Sequence, residues 1–466
     1  MRHNTLYRII LLTIVPVLMQ SCFSAKEYVR PSIESEALFR TDNIKTDSNS
    51  IAQLSWRELF TDPILTDYIQ RGLDNNLDIR VALQNINAAQ AYLKQGKAGY
   101  YPTIDAMASY GRSTFSENGA MAMNSGSATE QFELSGSLSW EADIWGKIRS
   151  ADRASQANYL QSVAAHQAVK TNLIAAISST YYRLLALDKQ KDIIKETIEA
   201  RKSSLTTTQA LKDAGQVTEV AVKQTEAQLY STEIILVDIE KNIKLLENTF
   251  SILLGESARS VQRGTLEEQE LQTELTTGVP ADLLVNRPDV LEAEYSLINA
   301  FELTNVARSH FYPALRLTAA GGFQSLELDN LFNASSLFSN LAGSLAQPIL
   351  NGRKIKTQYE VSQAQQEQAL LRYKKVLLIA GKEVSDALYD YQAENKKIEV
   401  RKKELASHML AESYSEELLN NGLSNFLEVL TARQNVLNSQ LNLIDSQFGQ
   451  LNAIVTLYEA LGGGWQ

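Results

Sequence analysis

The chain has 466 residues, with 54 Asp and Glu against 44 Lys and Arg, and a net charge of −10. That balance argues against a surface for nucleic acid or anionic lipid. Four His and one Cys leave too few ligands for a His/Cys metal site and no partner for an intrachain disulfide.

The first 22 residues differ from the rest. Arg2 and Arg8 precede the apolar run in "IILLTIVPVLMQSC", which is too short for a bilayer span of about 20 residues. A charged start, a short apolar run and a small residue at a cut point predict a secretory signal over 1–21. The only cysteine, Cys22, falls where that signal ends, as in a bacterial lipobox, and predicts a lipidated first residue. An ordinary signal peptide with an incidental cysteine is the alternative. Residues 22–60 are polar and read as an extended segment. After Cys22 no run of 18 apolar residues occurs, so no transmembrane helix is expected.

Four segments have the length and Ala/Leu/Gln/Glu content of helices: 62–100, 148–254 broken near Gly215, 287–312, and 352–461 broken near Gly422. Between them the pattern changes to period two. Ile104, Ala106, Ala108 and Tyr110 alternate with Thr103, Asp105, Met107 and Ser109. Phe132, Leu134, Leu138 and Trp140 alternate with Glu133, Ser135, Ser139 and Glu141. Such alternation means half-buried strands. The Gly/Ser/Asn-rich stretch from Ser113 to Ser127 joins them as a hairpin over 103–142. A second hairpin over 314–350 follows, with Leu315, Leu317 and Phe323 against Arg316 and Thr318. Its last strand, near Leu337 to Ile349, alternates less cleanly.

The chain repeats itself. Pro102 and Pro313 are 211 apart (313 − 102 = 211), and the same offset pairs Asp78 with Asp289, Tyr101 with Tyr312 and Gly111 with Gly322. An offset of 207 pairs Gly215 with Gly422, Val222 with Val429 and Leu254-Gly255 with Leu461-Gly462. The reading is a tandem duplication, 61–262 and 263–466, each copy a helix, a β-hairpin and a long helical hairpin. A helix over 151–213 is on the order of 95 Å long at about 1.5 Å per residue. Its Ala/Gln/Ser-rich text suits helices lying side by side.

Four strands of about ten residues match a bilayer crossing. Open edges cannot exist in lipid, and about eight strands is the least for a bacterial barrel. Four strands therefore predict closure by oligomerisation, eight from a dimer or twelve from a trimer. Lipid is expected to face Ile104, Phe132, Leu134, Leu138 and Leu315, and water to face Asp105, Glu133, Glu141 and Arg316. A soluble sandwich with a polar outer face is the alternative that periodicity leaves open.

Taken together, "WRELFTDPILTDYIQRGLDNNLDIRVA" (56–82), "YYPTI" (100–104), "SWEADIWGKIRS" (139–150), "NRPDVLEAE" (286–294), "FYPAL" (311–315), "QPILNGR" (347–353) and "GLSNFLEVLTARQNVL" (422–437) resemble the outer-membrane factors of tripartite efflux systems, the TolC/OprM-like proteins. "DIWG" with "NRPDV" is similar to their NodT-type lipoprotein branch. The resemblance covers essentially the whole mature chain. It implies a mainly α fold with a membrane β-barrel part: a homotrimer whose long helical hairpins form an α-barrel capped by twelve strands. It also implies outer-membrane lipid around the strands, a periplasmic adaptor (membrane fusion protein), an inner-membrane RND-type pump, and no cofactor or nucleic acid. The turns at Gly215 and Gly422 then become the periplasmic tips where the adaptor docks. "GLSNFLEVL" matches the family's tip motif, which gives Glu428 the inward carboxylate of the periplasmic gate. Ala221 stands at the equivalent place in the first copy, with Glu219 two residues earlier, and a second family carboxylate falls on Thr431. Glu412 stands well back from the turn and is expected to matter little.

The implied function is a passive export duct. A structural coiled-coil or adhesin-like trimer is the rival, although a stalk needs no duplicated strands. An enzyme finds no support. His3, His166, His310 and His408 are isolated, and no G-x-S-x-G elbow surrounds a nucleophile. The cargo is not written in the sequence.

Overall fold

A computed structural model describes residues 25–31, 55–114, 116, 128–269 and 287–465. Cys22 and most of the hairpin loop 113–127 lie outside them. The elements in chain order are α1 (Trp56–Leu59), α2 (Pro63–Asn75), α3 (Leu77–Ala98), β1 (Thr103–Thr114), β2 (Ala128–Ala142), α4 (Lys147–Asp213), α5 (Glu219–Leu253), α6 (Pro288–Ser309), β3 (Ala314–Ser325), β4 (Leu337–Ala346), α7 (Lys354–Asn420) and α8 (Phe426–Ala460). Among the described residues no helix is long and apolar enough to cross a membrane.

Two expectations change. The segment 22–60 is not extended throughout, because Trp56–Leu59 is a helical turn. Ser55 and Glu58 close a capping box around it, each side chain bonding the other's backbone N–H. The helix expected over 62–100 is two helices. Asn76 breaks it with ψ 134°, and its Oδ1 accepts from the N–H groups of Asp78 (2.8 Å) and Ile79 (3.2 Å), so it caps α3. Asp62 caps α2 in the same way, accepting from Ile64 N–H at 2.7 Å.

The internal repeat is visible in element lengths. α3 and α6 have 22 residues each, and β1 and β3 have 12 each, at an offset of 211 (288 − 77; 314 − 103). α4 and α7 have 67 each, and α5 and α8 have 35 each, at 207 (354 − 147; 426 − 219). The second copy therefore spends four fewer residues between its first strand and its long helix. At about 1.5 Å per residue each 67-residue helix is roughly 100 Å long.

Contacts divide the chain into two compact units that cut across the repeat. One contains Met1–Pro31, Asn87–Gln161 and Ala293–Tyr373, and the other Ser32–Ile86, Ser162–Glu292 and Lys374–Gln466.

The first unit holds one antiparallel sheet in the order β1-β2-β3-β4. Among the described residues, its two outer strands have no neighbour on one side. Beside it the segment 25–31 is strapped to α6. The Asn305 amide brackets Lys26, donating to its carbonyl (3.0 Å) and accepting from its N–H (3.2 Å). Arg30 holds the buried Glu294 with two bonds, one of 2.6 Å from Nε. Tyr28 packs edge-on against Phe301 at 5.7 Å.

The second unit holds an aromatic core. Phe60, Tyr181, Tyr182 and Phe250 are fully buried, with Tyr68 edge-on to Phe250 at 5.0 Å and Phe60 edge-on to Tyr458 at 6.2 Å. The Tyr181 hydroxyl is not stranded there. It donates to Asp62 (2.7 Å) and accepts from Gly264 N–H (3.2 Å), which ties the α2 cap to the segment after α5.

Candidate functional site

All four long-hairpin helices end in the same left-handed device. Gly215 (φ 76°) follows α4. Its N–H donates to Lys212 O (2.8 Å), and Gln216 N–H donates to Leu211 O (2.9 Å). Gly422 (φ 71°) repeats this after α7 with Leu419 O (3.0 Å) and Leu418 O (2.9 Å). Two otherwise unpaired carbonyls are satisfied each time by the paired bonds of a Schellman motif. A Cβ at either glycine would meet nothing within 4 Å. The need for glycine is therefore one of backbone angle, and the turns are open around it.

The expected gate residues sit beside these turns. Glu428 is the third residue of α8, and its N–H is capped by Asn425 Oδ1 (3.1 Å). Its own carboxylate folds back to accept from Asn425 Nδ2 (3.2 Å) and from the Ser424 hydroxyl. Thr431, one turn on, donates to Leu427 O (2.8 Å). In the first copy Thr218 makes no side-chain cap bond, Ala221 occupies the place of Glu428, and Glu219 pairs with Lys212 at 3.1 Å. Glu428 and Glu219 thus each bond within their own hairpin, and the two turns differ chemically.

Sequence reading missed the residues that join the two hairpins. Arg433 on α8 holds Glu416 on α7 (3.0 and 2.6 Å) and also bonds the Ser204 hydroxyl on α4. Arg201 on α4 is only 6% exposed and has no carboxylate partner. Its Nη1 donates to Gln228 O and Thr232 Oγ1 on α5 (2.6 Å each), and its Nη2 donates to Gln434 Oε1 on α8 (2.8 Å). Consecutive residues of the second hairpin, Arg433 and Gln434, therefore stitch it to α4. Burial and the neighbouring Arg433 push the Arg201 pKa down. Glu412, expected to matter little, lies 3.7 Å from Arg433. Burial, then the charge of Glu416, raises its pKa against the pull of Arg433. "TARQN" alone gives no hint of this, since the contacts depend on the register of four helices.

The strands form the second candidate surface. The register puts Ile104, Leu138, Ala319 and Leu341 in one row across the sheet, and Ala108, Leu134, Phe323 and Leu337 in another. Directly opposed residues share a face. Ile104, Phe132, Leu134, Leu138 and Leu315 all lie on this apolar face, where Ile104 is 75% and Leu341 82% exposed. Asp105, Glu133, Glu141 and Arg316 lie on the other face. There Glu141 meets Arg316 (3.3 Å) and Lys147 (2.8 Å). β4 alternates poorly because Phe338 turns to the polar face and Ser339 to the apolar one.

Aromatic rings border the apolar face at both ends. Tyr110 and Phe132 pack at 4.9 Å, and Phe323 and Phe332 at 5.7 Å. At the other end Trp140 donates to Tyr100 O (3.0 Å). Trp140 and Phe132 are eight residues apart (140 − 132 = 8) on one strand, which spans about 27 Å at roughly 3.4 Å per residue.

A sheet with one apolar face between aromatic borders and two open edges, in one chain with helices of about 100 Å, defines a class: channel proteins that combine membrane strands with long helical hairpins. The family described as "Outer membrane efflux protein" matches this chain twice, over residues 68–256 and 279–463. The chain belongs to that family, and is an outer-membrane channel of the tripartite efflux class. The cation efflux system protein CusC of Escherichia coli O6:H1 is 27% identical over 455 residues, 97% of this chain and 98% of that protein. The probable outer membrane lipoprotein SilC of Salmonella typhimurium is 26% identical over 466 residues, 99% of this chain and all of that protein. Crystal structures of CusC superpose with a TM-score of 0.84 at 26% identity, covering 94% of this chain and 99% of that one. The Campylobacter jejuni CmeC channel superposes at 0.85 with 24% identity and 95% coverage of both chains, a likeness of fold.

Proposed function

We propose that three copies of this chain close into one passive duct, without a catalytic step, and that energy comes from an inner-membrane RND-type pump reached through a periplasmic adaptor. The observation that carries this reading is the sheet. Its apolar face has the dimension of the roughly 25 Å lipid-facing band of outer-membrane barrels, with aromatic girdles at both borders. Its two open edges demand partners in lipid, and three copies give twelve strands. The repeat boundary is read near residue 262. Reconstituted in planar bilayers, the full-length protein is expected to give long-lived ohmic conductance steps. A protein that inserts and never conducts would instead be the structural stalk.

Lipidation at Cys22 belongs to the same reading. Two residues, Phe23 and Ser24, separate Cys22 from Ala25, and the three Cα-to-Cα steps reach at most about 11 Å. Ala25 Cβ lies 3.3 Å from where a Cβ on Gly146 would stand, just past the end of β2. An acyl anchor there would sit beside the strand ends, at the level where lipid begins.

The two turns at Gly215 and Gly422 are read as the adaptor-docking tips, and Glu428, with Thr431 and Glu219 nearby, as the periplasmic gate. Three Glu428 carboxylates in a narrow throat favour cations. Glu428→Gln is expected to lower cation selectivity, seen as a reversal potential moved toward zero in a salt gradient. The α8 start should survive, because Asn425 still caps residue 428 through the backbone. Glu399→Gln, an exposed partner of Lys403 on α7, should leave the potential unchanged. An unmoved potential in Glu428→Gln would reduce that carboxylate to a helix cap. The cargo is set elsewhere. Relatives at 27% identity bear names for cations, solvents, toluene and antibiotics, which fits a duct that selects little behind pumps that select much.

A further inference from the structure

The two copies of the repeat solve one helix junction in different ways. In the first copy Asn76 sits before α3 and donates through Nδ2 to Leu253 O at 2.9 Å. At the 211 offset its place is taken by Arg287, whose Nη1 donates to Ala460 O at 2.7 Å. Ala460 is the 207-offset counterpart of Leu253. The task is the same, yet the second junction is charged. Arg287 also grips Asp289 with two bonds (3.0 and 2.8 Å) and Glu383 with one (2.7 Å). Glu383 stands where the first copy has Ala176, and Glu459 where it has Ile252. The first junction keeps Asp78 in the place of Asp289 and joins its helices without the other three charges.

The charged junction surrounds a cavity of about 310 Å³ lined by Thr171, Asn172, Arg287, Glu383, Glu459 and neighbours. One water occupies a share of about 30 Å³, so there is room for an ion with part of its hydration shell. Its wall holds three carboxylates, Asp289, Glu383 and Glu459, against the guanidinium of Arg287. Arg287 is matched by Asp289 and Glu383, while Glu459 receives only the Asn172 amide, whose nitrogen, turned toward α8, lies 3.2 Å from Oε1. A second, independent sign is Thr171. It is 5% exposed and its hydroxyl has no hydrogen-bond partner. Helical threonines elsewhere in this chain, such as Thr208, Thr225, Thr232 and Thr304, donate to the carbonyl four residues back.

We propose that this cavity is a binding site for a small monovalent cation, ammonium or an alkali metal, held by Glu459, Glu383 and the Thr171 hydroxyl. Among the described residues no three His, Cys, Asp or Glu side chains come together to ligate a metal ion, so the cage that a divalent ion requires is not built. The charged groups facing Glu459 are Glu383 on α7 and Asp289 and Arg287 at the start of α6.

The test is thermal unfolding of the full-length protein at fixed ionic strength. At pH 8, potassium or ammonium chloride should raise the melting temperature by about 2–4 °C over N-methylglucamine chloride. The gain should vanish in Glu459→Gln and shrink in Thr171→Val. Equal melting temperatures in all three salts at pH 8 would overturn the proposal. So would a gain that survives in Glu459→Gln, or one seen only with a divalent salt. None of these readings depends on conductance, so the duct stands or falls separately.

Discussion

Leu138→Arg is expected to deplete folded channel from the outer membrane, while Glu133→Arg leaves it in place. Leu138 lies on the apolar face, six residues from Phe132 and two from Trp140, in the row with Ile104, Ala319 and Leu341. An arginine on the lipid face costs roughly 2–4 kcal/mol at the midplane and less toward the borders, and the cost recurs in every copy of a trimer. Glu133 lies in the row with Ser109 and Gln324 on the polar face, where a long cation can reach water. The readout is the amount of heat-resistant oligomer in the outer-membrane fraction. If both variants assemble alike, the apolar face is not the one that meets lipid.

Arg263→Ala is expected to be the most damaging single change in the helical part. Arg263 is nearly buried and joins two helices to the chain that follows α5. It holds Asp188 on α4 with two bonds, one of 3.0 Å, and Glu247 on α5 at 2.9 Å, and donates to Val261 O at 2.7 Å. Its removal leaves Glu247, itself only 4% exposed, with Lys244 as its remaining ionic partner (3.0 Å). Breaking a buried pair from one side costs about 3–5 kcal/mol, measurable as a lowered denaturation midpoint. Burial works to raise the Glu247 pKa, but bonds from Arg263, Lys244 and Val261 N–H outweigh it and hold it below 4.5. A depressed carboxylate stabilises the fold above its unfolded pKa, and that contribution is lost as pH falls through the folded one. The wild-type protein should therefore lose stability below about pH 4.5, and Arg263→Ala should show less of this acid sensitivity.

Much of the architecture was legible because it is written in two periods that differ sharply. The alternation around Ile104 and Leu138 and the long Ala/Gln-rich text of 148–254 are hard to confuse. Gly215 and Gly422 were readable because a turn between helices favours a residue tolerant of positive φ. The break at Asn76 was hidden in "DNNLD", polar text that fits either a helix surface or a cap. Asn425-x-x-Glu428 is a legible capping pair, but its resemblance to a tip motif drew attention to charge rather than to capping. Arg201, Arg433 and the cavity at Glu459 were out of reach. Each needs side chains from helices separated by tens to hundreds of residues, and no short-range pattern fixes how those helices are rotated against one another.

The matched helices, 67 with 67 and 35 with 35, restrict how this chain can change its length. One residue inserted into α4 advances everything beyond it by 1.5 Å and turns it by about 100°. Arg201 would then swing away from Thr232 and Gln434, and Ser204 from Arg433. Tolerable insertions in the long helices should come as whole heptads, about two turns, and in both copies at once. The hairpins, which already differ by four residues between copies, carry no such lock. Tags, epitopes or grafted loops therefore belong between β1 and β2 rather than anywhere along the helices.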